Sequence, residues 1–188
     1  NFLGRVDSLL IGGAMAYTFF RAKGLPVGKS LVEEDKQDAA RAIMASAAER
    51  GIRLELPLDH VVADKIEAGV ATAVLAVDDP AIGNRMGLDI GPKTAERYAS
   101  ILATARTVVW NGPMGVFETS PFDAGTTAVA NAVAAVVGTT IIGGGDSVAA
   151  VAKAGVTDRI THISTGGGAS LEFLGGALLP GVAALSER

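Results

Sequence analysis

Four glycine-rich turns hold the residues best suited to chemistry in this sequence. Each turn follows a short apolar run and precedes a helical pattern; the turns lie at residues 12–13, 111–113, 143–147 and 164–169. Glycine lets backbone amides approach a ligand closely, and the amino end of a following helix adds a partial positive charge. One such turn alone is typical of a tight chain reversal. Four of them in one chain favour a phosphate-binding site.

Two acidic residues lie in or beside these turns, and each has two interpretations. Asp146 stands where a helix is predicted to begin, so it suits an N-cap, a task that Ser147 could share. It equally suits Mg²⁺, which binds one or two carboxylates together with phosphate oxygens. Glu118 could accept hydrogen bonds from ribose hydroxyls, although the residues alone favour a solvated loop charge.

Familiar nucleotide and hydrolase motifs do not fit this sequence. Residues 24–30 resemble a P-loop, but only three residues separate Gly24 from Gly28 where that motif has four, so we predict a surface turn. The G-x-G-x-x-G spacing is absent, which disfavours an NAD-dependent enzyme. There is no G-x-S-x-G elbow either, and we interpret His60 and His162 as packing or hydrogen-bonding residues, with His162 inside a buried strand.

The composition excludes several classes of protein. The chain has 188 residues, of which 49% are hydrophobic and 19% charged, enough for one domain with a sizeable core. It has no cysteine, which excludes disulfides, cysteine-ligated zinc and a thiolate nucleophile, and its net charge of −4 argues against nucleic acid or an anionic membrane as partner. The uncharged residues 124–145 predict a buried helix and strand rather than a membrane span. We expect a soluble, cytoplasmic protein.

The elements that must position these turns alternate along the whole chain. Strands are predicted at residues 7–11, 52–56, 61–66, 72–77, 107–110, 139–142 and 159–163. Helices are predicted at residues 14–22, 35–50, 92–105, 121–137 and 169–174, with a short one from Asp146, while residues 78–88 read as a loop. This order predicts an α/β fold: a doubly wound parallel sheet with helices on both faces, a Rossmann-like three-layer α/β/α domain over residues 1–188. In such a sheet, ligands bind beyond the carboxyl ends of the strands.

Several motifs closely resemble those of the phosphoglycerate kinase family, and they occur in that family's order. The most specific is Val109-Trp-Asn-Gly-Pro-Met-Gly-Val-Phe-Glu118. The others are Ile11-Gly-Gly-Ala-Met-Ala-Tyr-Thr-Phe19, Gly87-Leu-Asp-Ile-Gly-Pro92, Gly143-Gly-Gly-Asp-Ser147, Ser164-Thr-Gly-Gly-Gly-Ala-Ser-Leu-Glu172 and Leu179-Pro-Gly-Val182. They cover the chain from about residue 9 to its end.

The resemblance implies a nucleotide-binding lobe and a role for each motif. The chain would bind adenine nucleotide, as MgADP or MgATP, in a two-lobed glycolytic kinase that transfers a phosphoryl group between 1,3-bisphosphoglycerate and ADP. Gly12, Gly13, Gly87 and Leu88 would line the adenine slot, Asn111 and Pro113 would follow the ribose and phosphates, and Glu118 would hold ribose hydroxyls. Gly144, Gly145 and Ser147 would contact the phosphates, with Asp146 at the Mg²⁺ ion, and Gly166, Gly167 and Gly168 would present amides to the phosphoryl group in transfer.

The resemblance also implies what this sequence does not carry. The family's amino-terminal lobe, through which 3-phosphoglycerate would bind, and a lysine-bearing segment ahead of residue 1 are not among these residues. We therefore expect the chain alone to bind MgADP weakly and to be inactive, and the full-length enzyme to be a monomer. Ala14 stands where many members have a third glycine, and Ser147 where many have threonine. The alternative is a non-catalytic nucleotide-binding module that keeps the fold without turnover.

Overall fold

The computed structural model describes residues 2–164, 166, 169, 172–173 and 175–184. Within these residues the strands form three small sheets. The strands are β1 (Ser8–Leu10), β2 (Arg53–Glu55), β3 (Asp59–Ala63), β4 (Ala73–Ala76), β5 (Met86–Ile90), β6 (Thr107–Asn111), β7 (Thr139–Gly143) and β8 (His162–Ile163). The helices are α1 (Met15–Ala22), α2 (Gln37–Glu49), α3 (Pro92–Leu102), α4 (Ala124–Ala134), α5 (Gly145–Lys153) and the short α6 (Pro180–Ala183).

Two of the three sheets are parallel, as the alternation of strands and helices predicts. Strand β1 pairs with β2, and β7 lies between β6 and β8. Parallel neighbours need a crossover, and α4 supplies one between β6 and β7 while α5 follows β7 directly. Parallel sheets with helices packed around them confirm the predicted α/β class. Because β6, β7 and β8 run in one direction, their carboxyl ends and the glycine turns that follow them share one edge.

The third sheet is antiparallel, which the sequence did not predict. Strand β3 lies between β4 and β5 and runs opposite to both. The interpretation of residues 78–88 as a loop is wrong from Met86 onward, because Met86–Ile90 is β5. Gly87 and Asp89 are poor strand formers, so the local signal is weak. Pairing with β3 and burial of Leu88 and Ile90 outweigh that weak propensity.

A carboxylate from this sheet completes the amino end of α3. Asp59 accepts the backbone N–H of Lys93 at 3.0 Å and that of Thr94 at 2.8 Å, through different oxygens. The first amides of a helix have no acceptor inside the helix, so Asp59 serves them from another element. Pro92 fits the first helical position because it has no N–H to satisfy. The sheet and α3 are therefore fixed to one another.

The larger core cluster lies between helices α3, α4 and α5 and the sheet formed by β6, β7 and β8. Its buried side chains include Trp110, Phe117, Val133, Ile142 and Val151. Full burial of a side chain of this kind stabilises the fold by about 1.5–3 kcal/mol. A second cluster packs Tyr17, Phe19 and Phe20 of α1 against Ala40 of α2. Small alanine side chains on the facing helices permit this close packing.

Several helices and strands begin or end at residues other than those predicted, and most of the buried strand predicted at residues 159–163 is not a strand. Helix α4 occupies 124–134 rather than 121–137, and α3 ends at Leu102 rather than near 105. In the segment predicted as a strand at 159–163, only His162–Ile163 pairs with β7, and Thr157–Arg159 forms a 3₁₀ turn. His162 is exposed rather than buried. Among the described residues, no helix has the length and apolar character needed to cross a membrane.

Candidate functional site

The turns after β6 and β7 lie side by side at the carboxyl edge of their sheet. Asn111 and Gly143, the last residues of these strands, are direct partners in the parallel register. Gly144 has a φ of +84°, which L side chains rarely adopt, and a Cβ there would come within 3.0 Å of the Asn111 side-chain amide nitrogen. Glycine is therefore required at this position for both conformation and space. Asn111 and Gly144 form one end of the site.

Side chains behind the turns fix the loop that follows β6. The buried hydroxyl of Ser147 accepts the backbone N–H of Gly112 at 2.6 Å. The indole Nε1–H of Trp110 donates to the carbonyl of Gly112 at 2.7 Å. The Ser147 side chain is fully buried, so its hydroxyl holds the Gly112 turn in place instead of facing solvent. The resemblance had assigned Ser147 to direct phosphate contact.

The amino end of α5 opens from this edge toward solvent. Gly144 occupies the N-cap position without a capping side chain, and the first bond within the helix runs from Val148 N–H to the Gly144 carbonyl at 3.1 Å. The amides of the preceding helical residues point out of this end, where the helix dipole favours an anion. A Cβ on Gly145 would meet no atom within 4 Å, and Gly145 and Asp146 are both exposed, so this end of the helix faces solvent.

Asp146 is the second residue of α5 and is exposed at the same opening. The interpretation of Asp146 or Ser147 as an N-cap is wrong, because neither side chain caps the helix. No group of three or more metal-ligating His, Cys, Asp or Glu side chains occurs among the residues that the structure describes. A single exposed carboxylate beside an anion cradle fits Mg²⁺ held jointly with phosphate oxygens.

The glycine turn after β1 meets the loop after β6. Gly13 has a φ of +63°, and its N–H donates to the carbonyl of Met114 at 3.1 Å. A Cβ on Gly13 would come within 2.8 Å of the Pro113 carbonyl oxygen. The carbonyl of Ile11, just ahead of this turn, accepts the buried Tyr98 hydroxyl at 2.6 Å. Together with the Gly112–Ser147 hydrogen bond, this contact joins three segments: the turn at Gly12–Gly13, the loop after β6 and the turn at Gly143–Ser147. We call the continuous edge that they form the rim.

Strand β5 brings Gly87 and Leu88 to the same loop. The Leu88 carbonyl accepts the N–H of Val116 at 2.8 Å, which ties the loop after β6 to β5. The side chain of Leu88 is buried and packs with Ala63 and Phe122, so it is the Leu88 backbone that lies nearest the loop. Gly87 is half-buried. The predicted slot residues are thus joined to the rim through backbone contacts.

Glu118 is exposed on the loop after β6, and Lys153 holds that loop in place. The Nζ of Lys153, at the end of α5, donates to the Phe117 carbonyl at 2.6 Å and pairs with the Asp123 carboxylate at 2.9 Å. Glu118 therefore follows a backbone carbonyl that Lys153 anchors. Lys153 is distant in sequence, and no motif pointed to it.

Asp89 is a buried carboxylate that sequence reasoning did not single out as functional. One of its oxygens accepts the N–H of Gly125 near the start of α4 at 2.7 Å, and the other accepts the N–H of Ile90 at 2.9 Å. Burial raises the pKa of Asp89 to about 7, against the lowering effect of these two hydrogen bonds and with a further rise from Asp123. Asp89 joins β5 to α4 directly behind the rim.

The last glycine turn is described only in part. Ser164 continues β8 through a bond from its N–H to the Ile142 carbonyl at 2.8 Å, and the Gly166 N–H donates to the Ser164 hydroxyl at 3.1 Å. Gly166 is exposed and follows the same carboxyl edge as Asn111 and Gly144. Gly167 and Gly168, and most of the helix predicted at 169–174, lie outside the described residues.

The interpretation of residues 24–30 as a surface turn is also only partly right. Val27 and Ser30 are buried, and Lys29 N–H donates to the carbonyl of Arg85 at 2.9 Å. The Ser30 hydroxyl accepts the N–H of Gly87 at 2.9 Å. Residues 24–30 are therefore hydrogen-bonded to β5 and to Arg85 just ahead of it. The P-loop-like spacing did not predict this structural role.

Together, the fold and this rim define an α/β protein with a glycine-lined anion cradle at the carboxyl ends of parallel strands. Residues 1–177 match the family described as phosphoglycerate kinase. The chain belongs to the phosphoglycerate kinase family, as the sequence motifs predicted.

Individual relatives agree with this assignment over almost the whole chain. It is 58% identical to the phosphoglycerate kinase of Acidobacterium capsulatum over 189 residues, covering 100% of this chain and 47% of the relative. It is 59% identical to that of Solibacter usitatus, covering 98% of this chain and 46% of the relative. The solved phosphoglycerate kinase of Coxiella burnetii superposes with a TM-score of 0.90 at 45% identity, over 94% of this chain and 46% of that one. The chain spans about half the length of the relatives it matches.

Proposed function

We propose that this chain is the nucleotide-binding domain of a phosphoglycerate kinase and that it binds adenine nucleotide, as MgADP or MgATP, along the rim. The observation that carries the proposal is the continuity of that rim. The Gly13–Met114 bond of 3.1 Å joins the β1 and β6 turns, and the Gly112–Ser147 bond of 2.6 Å joins the β6 and β7 turns. Three separate glycine motifs thereby become one surface, open to solvent at the amino end of α5.

Each part of the rim suits one part of the ligand. The amides at Gly144 and Gly145 and the dipole of α5 suit the phosphates. Asn111 lies beside Gly144, and Pro113 follows in the same loop. Gly12, Gly13, Gly87 and Leu88 are assigned to the base by the resemblance; the Met114 side chain packs on Gly12 and the Tyr17 side chain on Gly87. Glu118 is exposed on an anchored loop, where a carboxylate can accept from ribose hydroxyls.

Mg²⁺ would be held by Asp146 together with phosphate oxygens, and when bound it would neutralise charge on the phosphates. The chain's own part in phosphoryl transfer is positioning and stabilisation of charge. The amides of Gly166, Gly167 and Gly168 are proposed to donate to the oxygens of the phosphoryl group as it passes from 1,3-bisphosphoglycerate to ADP, which leaves 3-phosphoglycerate and ATP.

The complete reaction is proposed for the full-length protein of this glycolytic family. Because the chain spans about half the length of its relatives, binding of 3-phosphoglycerate is assigned to another lobe of a two-lobed kinase. We expect the 188 residues alone to bind nucleotide without turnover. A cytoplasmic location and a monomeric full-length enzyme stay predictions.

Backbone-amide NMR of the labelled chain titrated with ADP and Mg²⁺ tests the site. The amide shifts are expected to move most at Gly12, Gly13, Gly87, Asn111 and Gly144–Ser147, with Thr161 and Ala47 as remote controls. Shifts that are largest elsewhere would place the ligand outside the rim and contradict the proposal.

A second candidate is a non-catalytic nucleotide-binding module on the same fold. Both candidates predict ADP binding by this chain, so binding does not separate them. The full-length open reading frame does, because only the kinase requires a basic phosphoglycerate-binding lobe in the same polypeptide. A parent protein that carries that lobe and forms ATP from 1,3-bisphosphoglycerate supports the kinase; one that lacks it supports the module.

A further inference from the structure

A buried tyrosine and a buried histidine, 43 residues apart, form a hydrogen-bonded stack behind Gly87. Tyr17 lies in α1 and His60 in β3, with 6% and 1% of their surfaces exposed. The Tyr17 hydroxyl lies 3.0 Å from His60 Nδ1. The two rings are stacked, with centroids 5.9 Å apart and planes 15° from parallel. The roles assigned to the glycine motifs involve neither side chain.

Proton chemistry gives the direction of the Tyr17–His60 contact. Ser30 accepts the Gly87 N–H at 2.9 Å, and a hydrogen bond with the Ser30 side chain lowers the pKa of Tyr17. Burial and the nearby Asp89 carboxylate outweigh this effect and raise the pKa of Tyr17 overall, so the phenol keeps its proton. Because a phenol is a stronger donor than an imidazole N–H and a neutral imidazole nitrogen a stronger acceptor than a phenol oxygen, we assign the proton to the Tyr17 hydroxyl, with His60 Nδ1 accepting it. The imidazole is then the tautomer with its hydrogen on Nε2.

The remaining ring nitrogen makes the pair costly. Among the buried side-chain atoms of the described residues, His60 Nε2 has no hydrogen-bond partner. Leaving a buried donor unsatisfied costs about 1–3 kcal/mol, a penalty that an apolar side chain of similar size would avoid. Burial lowers the pKa of His60, which keeps the ring neutral and able to accept at Nδ1. Because only one of its two ring nitrogens is hydrogen-bonded, His60 is better suited to orienting Tyr17 than to stabilising the fold.

The Tyr17 hydroxyl lies against strand β5 at Gly87. A Cβ on Gly87 would overlap that hydroxyl, so Tyr17 rests directly on the Gly87 backbone. Helix α1, which carries Tyr17, begins two residues after Gly13. Tyr17 thus packs helix α1, which follows the turn at Gly12–Gly13, directly against strand β5.

We propose that Tyr17 and His60 are a positioning pair that sets the width of the adenine slot between Gly12–Gly13 and Gly87, and thereby its fit to the base. This inference rests on the proposed function. His60 fixes the orientation of Tyr17 by accepting its hydroxyl, and Ser30 connects the same hydroxyl to the Gly87 amide. Neither residue is assigned contact with the phosphates, so the pair acts on recognition of the base alone.

Two substitutions at position 60 separate acceptor chemistry from volume. His60→Asn can place an oxygen where Nδ1 was, because both atoms are bonded to Cγ, and it removes the unsatisfied Nε2. His60→Leu has a similar size and no acceptor. Tyr17→Phe removes the hydroxyl from the other side. Each variant is titrated by calorimetry with ADP and with inorganic pyrophosphate, both in Mg²⁺, since pyrophosphate offers phosphates without a base.

We expect His60→Leu and Tyr17→Phe to lose about five- to tenfold in ADP affinity, the equivalent of one hydrogen bond, while pyrophosphate affinity changes less than about twofold. His60→Asn is expected to stay within about twofold of the unsubstituted chain for both ligands. Thr140→Val is the control: it removes a buried hydroxyl that accepts the Thr161 N–H at 3.0 Å at the opposite end of β7, and should leave both affinities unchanged.

The outcomes separate this inference from the proposed function. If the unsubstituted, folded chain does not bind ADP, the proposed function fails and the positioning pair fails with it. If the unsubstituted chain binds ADP but His60→Asn and His60→Leu bind it equally well, the positioning pair alone is overturned. Parallel losses of ADP and pyrophosphate affinity in Tyr17→Phe would also overturn it, because they indicate a general loss of structure.

Discussion

The hydroxyl of Ser147 accepts the backbone N–H of Gly112 at 2.6 Å and so joins the turns that follow two neighbouring strands. Ser147 is fully buried in the first turn of α5, while Gly112 follows β6. The bond places the amino end of α5 and the loop leading to Glu118 in a fixed relation. The nucleotide site proposed above depends on that relation, because neither turn alone forms the rim.

Removing the Ser147 hydroxyl should damage stability and nucleotide binding together. In Ser147→Ala, the Gly112 N–H loses its acceptor, which costs about 1–3 kcal/mol in the free energy of unfolding. We expect ADP affinity to fall as well, because the Asn111–Gly112–Pro113 turn is no longer held. Urea unfolding and calorimetry measure the two effects. An alanine variant with unchanged ADP affinity would show that the bond is structural only.

Asp146 should matter for nucleotide only when Mg²⁺ is present. Asp146→Ala removes the exposed carboxylate at the amino end of α5, so the gain in ADP affinity on adding Mg²⁺ should disappear. Metal-free ADP binding should change little. Calorimetric titrations with Mg²⁺ and with EDTA make the comparison. An equal loss under both conditions would mean that Asp146 only stabilises the helix terminus, an effect of about 0.3–1 kcal/mol.

Glu118 should distinguish ligands by their ribose hydroxyls. Glu118→Gln keeps the size of the side chain and weakens its acceptance of hydrogen bonds from hydroxyls, because a charged acceptor is the stronger one. We expect a loss of about three- to tenfold in affinity for ADP and little change for 2′,3′-dideoxy-ADP, in line with a charge-assisted hydrogen bond. If both ligands lose affinity equally, Glu118 does not contact the ribose.

Asp89 should make stability fall as the pH rises. Its folded-state pKa of about 7 lies above the ordinary value of 3.8, so the folded state binds more protons than the unfolded state between these values. The stabilisation is present in full below pH 4 and is lost as the pH rises through 7. From pH 5 to pH 8 the loss attributable to Asp89 is roughly 2–3 kcal/mol.

Asp89→Asn provides the comparison for that prediction. It removes the titration and should flatten the change in unfolding free energy between pH 5 and pH 8 relative to the unsubstituted chain. Its stability at pH 5 should be lower by about 1–3 kcal/mol, because the amide nitrogen that replaces one oxygen cannot accept a hydrogen bond, so either Gly125 or Ile90 loses the acceptor of its N–H. Urea unfolding at the two pH values measures this, and identical pH dependence in both chains would refute the assignment.

The parts of the fold that follow from local pattern could be predicted from the sequence. Apolar runs at Thr107–Asn111 and Thr139–Gly143 form parallel strands, and glycine turns follow each at the sheet edge. The local pattern also places Pro92 at the start of α3 and Gly143 and Gly144 directly before α5. Turn residues and hydrophobic runs act over a few positions, so a single sequence contains their signal.

The parts that depend on distant partners could not be predicted. Strand β5 has weak local propensity and exists because it pairs with β3. The Lys153 contact with Phe117 and the Asp89 contact with Gly125 each span 36 residues and leave no periodic trace. His162 was expected to be buried because apolar residues flank it, but the strand there has only two residues and its side chain is exposed.

The central claim is that this chain binds adenine nucleotide, and a calorimetric titration with ADP, with and without Mg²⁺, tests it most directly. NAD serves as the control ligand, and circular dichroism establishes that the chain is folded. We predict saturable binding of ADP that is tighter in Mg²⁺, and no binding of NAD. A folded chain that binds neither nucleotide, or that binds NAD in preference to ADP, would contradict the account.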